Sequence, residues 1–175
     1  VTTEASDQCA CPEGMYSTGA GATSCTSAQQ GYYASISGTA AASAATGETE
    51  VVAGYYACDS NDGGTGTGVT TEASDQCACP AGRYSAASAT SCTQATAGKY
   101  ACLSSEVSSE DGTGVNTAAS AQCDCPTGKY AATVGLSACD NCAAGYYQTN
   151  TATTECVQVD GGYRAVDGAN ADTNS

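Results

Sequence analysis

The regular feature of the hydrophobic pattern is Tyr, not the aliphatic residues. All eleven tyrosines belong to Gly-x-Tyr triplets: Gly14-Met-Tyr16, Gly31-Tyr-Tyr33, Gly54-Tyr-Tyr56, Gly82-Arg-Tyr84, Gly98-Lys-Tyr100, Gly128-Lys-Tyr130, Gly145-Tyr-Tyr147 and Gly161-Gly-Tyr163. Eight half-units follow, 16 to 30 residues apart. Gly supplies a backbone with positive φ, and Tyr the one large side chain able to cover a neighbouring disulfide. Pro12-Glu13-Gly14 and its two equivalents read as β-turns with Pro at the second position. Short strands between such turns suit the Thr, Val and Tyr content better than helix. The Ala-rich stretch from Thr39 to Ala45 is too short to hold a helix alone.

A longer repeat contains this one. VTTEASDQCACPEG at 1–14 recurs at 69–82 with 13 of 14 positions identical, and 115–128 matches the second copy at 9 of 14. Gly-Thr-Gly precedes both later copies, at 66–68 and 112–114. The predicted organisation is repeat 1 over 1–68, including a Cys-free Ala/Thr/Ser-rich half-unit at 31–53. Repeat 2 follows over 69–114, repeat 3 over 115–160, and a partial half-unit with an acidic tail over 161–175. Such repetition predicts a stack of small units.

Composition removes the alternative of one ordinary core. Leu, Ile, Val and Phe together make 13 of 175 residues, well under the roughly 20% of a chain that folds by burial alone. The 13 cysteines must hold the structure instead. Spacing within the repeat pairs Cys11–Cys25, Cys79–Cys92 and Cys125–Cys139 downstream of Cys-Pro-x-Gly. It also pairs Cys58–Cys77, Cys102–Cys123 and Cys142–Cys156. Cys9 is left unpaired, or paired outside this chain. Each loop closure stabilises by about 3 kcal/mol in the chain-entropy model. The predicted fold class is therefore small, disulfide-rich and mostly β: an elongated tandem-repeat rod of short strands and turns, with no large hydrophobic core.

Dense cysteine predicts an oxidising compartment, secreted or at the cell surface. Val1 opens into a polar segment rather than a signal peptide, which suits a mature chain or a slice of a longer one. No apolar run approaches the roughly 18 residues of a membrane span. A net charge of −14 repels phosphate backbones, so nucleic acid is not an expected partner. No Asn-x-Ser/Thr sequon is present. Ser and Thr total 43, and the O-glycan candidates are Thr2, Thr3, Thr39, Thr46, Thr49, Thr65, Thr67, Thr70, Thr71, Thr113, Thr117, Thr151, Thr153 and Thr154.

Cys11-Pro-Glu-Gly-Met-Tyr-Ser17, followed by Gly21-Ala-Thr-Ser-Cys25-Thr and Gly31-Tyr-Tyr33, resembles the cysteine-rich repeats of ephrin-receptor-like and growth-factor-receptor-like ectodomains. The Ala/Thr/Ser filler is similar to that of ciliate surface antigens and extracellular filament proteins of aquatic protists. The resemblance runs from Cys9 to about Tyr163 and implies an extracellular, disulfide-bonded, elongated protein. Two departures stand out. Cys-x-x-Cys survives only at Cys139-Asp-Asn-Cys142, with Ala28 and Ala95 at the other expected positions, and the half-unit from Gly31 to Ala53 has no cysteine.

Other chemistry finds little footing. His is absent, which removes imidazole catalysis and most zinc sites. Carboxylates without a pocket-forming core cannot be desolvated and tuned, so no enzyme and no cofactor are expected. Cys-x-Cys pairs at 9–11, 77–79 and 123–125 suit soft metals, but the regular loop spacing favours disulfides. Asp59, Asn61 and Asp62 are weak calcium candidates that fail the EF-hand template, and a polar turn is the plainer reading. Arg83, Lys99, Lys129 and Arg164 sit beside the tyrosines, either as a cation–π strip or as a tolerant solvated edge. The expected role is an extracellular structural protein, a self-assembling filament or surface-coat subunit carrying O-glycans. Its partners would be copies of itself or other surface proteins. The alternative is a ligand-binding ectodomain fragment that recognises a protein or a glycan.

Overall fold

The computed structural model describes residues 8–106 and 111–166. Its strands are β1 (Met15–Tyr16), β2 (Thr26–Ser27), β3 (Tyr32–Ile36), β4 (Thr39–Ala40), β5 (Gly47–Glu50), β6 (Tyr55–Cys58) and β7 (Asp75–Ala78). Then come β8 (Arg83–Tyr84), β9 (Thr93–Gln94), β10 (Lys99–Cys102), β11 (Ala121–Asp124), β12 (Lys129–Tyr130), β13 (Asp140–Asn141), β14 (Tyr146–Tyr147) and β15 (Val157–Gln158). They form seven successive antiparallel hairpins: β1–β2, β3–β5, β6–β7, β8–β9, β10–β11, β12–β13 and β14–β15, with β4 a third strand on β3. One 3-10 turn, Ser104–Glu106, is the single helical element among the described residues. The protein is a small disulfide-rich, mostly-β fold.

Each hairpin opens in the same way. The Met15 N–H donates to the Pro12 carbonyl at 3.1 Å, and Tyr32, Tyr55, Arg83, Lys99, Lys129 and Tyr146 each repeat that bond three residues back. The glycine in each turn has positive φ, +74° at Gly14 and +90° at Gly54. This is the third turn position, where a type II turn requires a left-handed residue. Pro12, Pro80 and Pro126 therefore occupy the first turn position, not the second as the sequence suggested. The eighth turn shifts by one as well. The Tyr163 N–H donates to the Asp160 carbonyl at 3.1 Å and φ is +89° at Gly162. The triplet in register is thus Gly162-Tyr163-Arg164, with Arg164 where the other half-units carry Tyr.

A closing bond seals each hairpin. Ala28, Val51, Cys79, Ala95, Cys125, Cys142 and Val159 donate their N–H groups back to the turn glycines Gly14, Gly31, Gly54, Gly82, Gly98, Gly128 and Gly145, all at 2.9–3.0 Å. Six disulfides brace the array: Cys11–Cys25, Cys58–Cys77, Cys79–Cys92, Cys102–Cys123, Cys125–Cys139 and Cys142–Cys156, with Cα separations of 5.7–5.9 Å. Cys58–Cys77 and Cys102–Cys123 cross within the two long bridged hairpins. Cys79–Cys92, Cys125–Cys139 and Cys142–Cys156 tie the end of one hairpin to the loop of the next, and Cys11–Cys25 ties the residue before the first turn's Pro12 to the first hairpin's loop.

The buried side chains form five small clusters rather than one core. One combines Tyr100 with Cys102, Cys123, Cys125, Ala131 and Cys139; another combines Tyr56 with Cys58, Cys79 and Cys92. Small residues supply much of the buried surface: Ala28, Ala34, Ala45, Ala57, Ala73, Ala95, Ala101 and Ala119 are at most 2% exposed. Adjacent hairpins hydrogen-bond backbone to backbone at these positions, so a side chain larger than a methyl has no room. Alanine is the core residue where main chains meet this closely.

Candidate functional site

The recurring contact of the molecule is a backbone ladder between hairpins, built from two consecutive residues in each loop. The first of the pair has positive φ: Ala44 (+55°), Glu72 (+61°), Ser88 (+58°), Ala118 (+57°), Gly135 (+78°) and Ala152 (+57°). Its N–H donates to the closing residue of the hairpin two places earlier. The bonds are Glu72 to Ala28 at 3.0 Å, Ser88 to Val51 at 2.9 Å, Ala118 to Cys79 at 2.9 Å, Gly135 to Ala95 at 2.7 Å and Ala152 to Cys125 at 2.9 Å. Ala44 reaches Cys11, just before the first turn, at 2.9 Å.

The second residue of the pair binds the hairpin immediately before. Its carbonyl accepts from the residue following the triplet's Tyr: Ser17 to Ala45, Ala34 to Ala73, Ala57 to Ala89, Ser85 to Ala119, Ala101 to Leu136 and Ala131 to Thr153, all at 2.8–3.2 Å. Each loop from the third hairpin onward thereby fastens to two earlier hairpins, and the second hairpin's loop to the first hairpin and to Cys11. Five of the six left-handed positions are not glycine, and each stores about 1 kcal/mol of backbone strain that the surrounding ladder holds in place.

The turn glycines are required by the same contact. A Cβ on Gly14 would sit 1.8 Å from the Glu72 carbonyl oxygen, on Gly31 2.4 Å from that of Ser88, and on Gly82 1.7 Å from that of Gly135. On Gly54 and Gly98 it would lie 2.3 Å from the carbonyls of Ala118 and Ala152. Gly128 and Gly145 have nothing within 4 Å of that point.

Tyr burial follows the ladder. Tyr33 is 4% exposed, Tyr56 and Tyr100 are fully buried, and Tyr146 and Tyr147 of the seventh hairpin are each 41% exposed. An open cavity of about 610 Å³ adjoins that last pair, lined by Gly128, Cys142, Tyr147, Gln148, Ala165 and Val166 among others. It lies where an eighth loop would continue the ladder.

Cys9 is a free, exposed thiol. No group of three or more metal-ligating side chains occurs among the described residues. Of the calcium candidates, Asp59 and Asp62 are engaged as turn acceptors and Asn61 donates its backbone N–H. Asp59 Oδ1 accepts the Asn61 N–H at 2.9 Å, while Asp62 Oδ1 accepts the Tyr56 hydroxyl at 3.0 Å and the Gly64 N–H at 2.8 Å. The Tyr56 oxygen accepts the Gly66 N–H at 3.2 Å, and burial of the phenol raises its pKa, with Asp62 adding to the rise. Glu13 makes a comparable clamp on the Ser74 hydroxyl at 2.6 Å and the Ser60 N–H at 2.9 Å, and these bonds lower its pKa.

Three of the four basic residues reach across to polar partners. Lys99 Nζ pairs with Asp124 at 2.6 Å, Arg83 donates to the Cys92 carbonyl at 3.0 Å, and Lys129 donates to the Asp111 carbonyl.

Of the O-glycan candidates, Thr39, Thr46, Thr65, Thr67, Thr70, Thr71, Thr113, Thr117, Thr151 and Thr154 are exposed. Thr49 and Thr153 are half-buried, bonded to the Ser35 hydroxyl and the Lys129 carbonyl. Thr2 and Thr3 lie outside the described residues.

Sequence reasoning missed the left-handed loop pair. Its trace is visible in Gly21-Ala-Thr-Ser-Cys25 and Ser88-Ala-Thr-Ser-Cys92, where Gly replaces Ser at the left-handed position. No helix of the described residues is long and apolar enough to cross a membrane. Six disulfides are what an oxidising, extracellular setting preserves. The chain matches no protein-family model and shows no significant similarity to any curated protein.

Proposed function

We infer that the protein is an extracellular structural component, a subunit of a filament or surface coat whose work is mechanical rather than catalytic. The carrying observation is the ladder: the same two backbone bonds join each loop from Glu72 to Ala152 to the two preceding hairpins. An array joined this way transmits load through main-chain bonds and disulfides, and can be lengthened without redesign. The exposed threonines offer attachment points for O-glycans along its length. Electron microscopy of the unrefolded native material tests the reading. Long regular fibres or a coat lattice, with density beyond the protein at Thr residues, are expected. Isolated single rods would overturn the assembly role in favour of a receptor-like binding module.

A further inference from the structure

We propose that copies of this chain join head to tail, with residues 1–11 of one copy seated in the open cavity at the seventh hairpin of the next. The proposal rests on the structural reading above and names the contact that would carry it.

Residues 1–11, VTTEASDQCAC, are identical at every position to residues 69–79. The role of 69–79 is visible within the molecule. The Glu72 N–H reaches the Ala28 carbonyl, the Ala73 carbonyl receives the Ala34 N–H, and Ala73 packs against Tyr33. Its strand β7 then pairs with β6, Tyr56 facing Cys77 and Ala57 facing Gln76. The segment thus needs a closing-residue carbonyl, the N–H that follows a triplet Tyr, a Tyr ring to cover and a first strand to pair with.

The cavity presents that set. Cys142 is the closing residue of the sixth hairpin, and no loop among the described residues reaches its carbonyl. Gln148 is next in the series Ser17, Ala34, Ala57, Ser85, Ala101, Ala131, and its N–H reaches no loop carbonyl there. Tyr147 stands half-open at the Tyr33 position. Gly128 has space where Gly14 meets the Glu72 carbonyl. The missing first strand is present too. Gly162-Tyr163-Arg164-Ala165 has already made the turn that precedes a strand, in register with Gly54–Ala57. Residues 162–165 thus open a hairpin, and residues 1–11 match in sequence the segment that closes one.

In the joined state the Glu4 N–H meets the Cys142 carbonyl and the Ala5 carbonyl meets the Gln148 N–H. Ala5 covers Tyr147, and Cys9-Ala10 pairs with Tyr163-Arg164. Val166 occupies the place that Cys58 takes beside Cys77, so the junction is held without a disulfide.

The test is sedimentation velocity and negative-stain microscopy of the 175-residue chain over a concentration series. Wild type should form end-to-end oligomers. Gly128→Ala places a methyl where the docked carbonyl must lie, and should raise the concentration needed for assembly by about tenfold or more. It should leave circular dichroism and the disulfide count unchanged, because alanine already occupies positive φ at Ala44, Ala118 and Ala152. Ala5→Arg attacks the other side of the contact without touching the cavity and should have the same effect. Mixing the two variants should give no junction beyond a single capped pair, since one intact end of each kind remains. Cys9→Ser should assemble like wild type. Oligomers indifferent to both Gly128→Ala and Ala5→Arg would overturn this junction and leave the structural role standing. A chain that stays monomeric throughout would overturn the junction, and would assign the cavity to a flanking repeat or another protein.

Discussion

The second and third hairpins do the same job with different means. Strands β6 and β7 are stapled by Cys58–Cys77, and Cys79–Cys92 ties their end to the fourth hairpin. The hairpin of β3 and β5 has no cysteine. It has a third strand, β4, and a fully buried Val51 where the third hairpin ends in Cys79. The ladder bonds are unchanged: Ser88 to Val51 and Ala118 to Cys79 are both 2.9 Å, and Ala34 to Ala73 and Ala57 to Ala89 are both 2.8 Å. Even the Tyr hydroxyls are satisfied by different partners, Tyr33 by the Gly38 carbonyl and Tyr56 by Asp62. The ladder is the constant of the fold, and disulfides are one of two ways to brace it.

Removing the ladder's clearance should hurt both hairpins equally. Gly31→Ala and Gly54→Ala would each drive a Cβ to within 2.4 Å of a backbone carbonyl oxygen in a left-handed turn. Each should cost about 3 kcal/mol or more in denaturant unfolding, or abolish secretion of folded protein. A much smaller loss at Gly31 would show that the Cys-free hairpin sits loosely. Next in size is the brace that separates the two. Replacing Cys58 and Cys77 together with Ser should cost about 3 kcal/mol while preserving the circular-dichroism spectrum, because the ladder still positions the hairpin. Loss of the whole spectrum would mean that the disulfide, not the ladder, defines the third hairpin.

A stabilising change should come from the strained loop positions. Ala118→Gly relieves a φ of +57° and, net of glycine's entropic penalty, should raise stability by up to about 0.5 kcal/mol. A drop in melting temperature would argue against the left-handed conformation there. The smallest effect concerns Glu13, which joins the first turn to the third hairpin's loop. Its bonds to Ser74 and Ser60 lower its pKa below the ordinary 4.5. Its contribution is therefore complete above the ordinary carboxylate range and fades as pH falls through the lowered value. Glu13→Gln should remove that part of the acid sensitivity, read as the difference between the two stability profiles from pH 6 to about pH 2.

The half-units were legible because Gly-x-Tyr marks each turn in one dimension, and the cysteine spacing carried the six pairs that the structure joins. What stayed hidden was contact between units. Ala44, Glu72, Ser88, Ala118 and Ala152 share a conformation but no distinctive side chain, since the ladder bonds they make are main-chain. Alanine at buried positions looked like filler for the same reason: its value lies in letting backbones approach. The Pro turn register failed because Pro suits the second turn position in general, whereas here the positive-φ glycine fixes the third position and pushes Pro back to the first.

Native-state hydrogen exchange of individual amides tests the ladder most directly. Ala44, Glu72, Ser88, Ala118, Gly135 and Ala152 lie in loops, where unbonded amides exchange within seconds to minutes. The account predicts that all six are protected about as strongly as the closing amides of Val51 and Cys79, in the Cys-free and bridged regions alike. Exchange at the rate of free loop amides would contradict it.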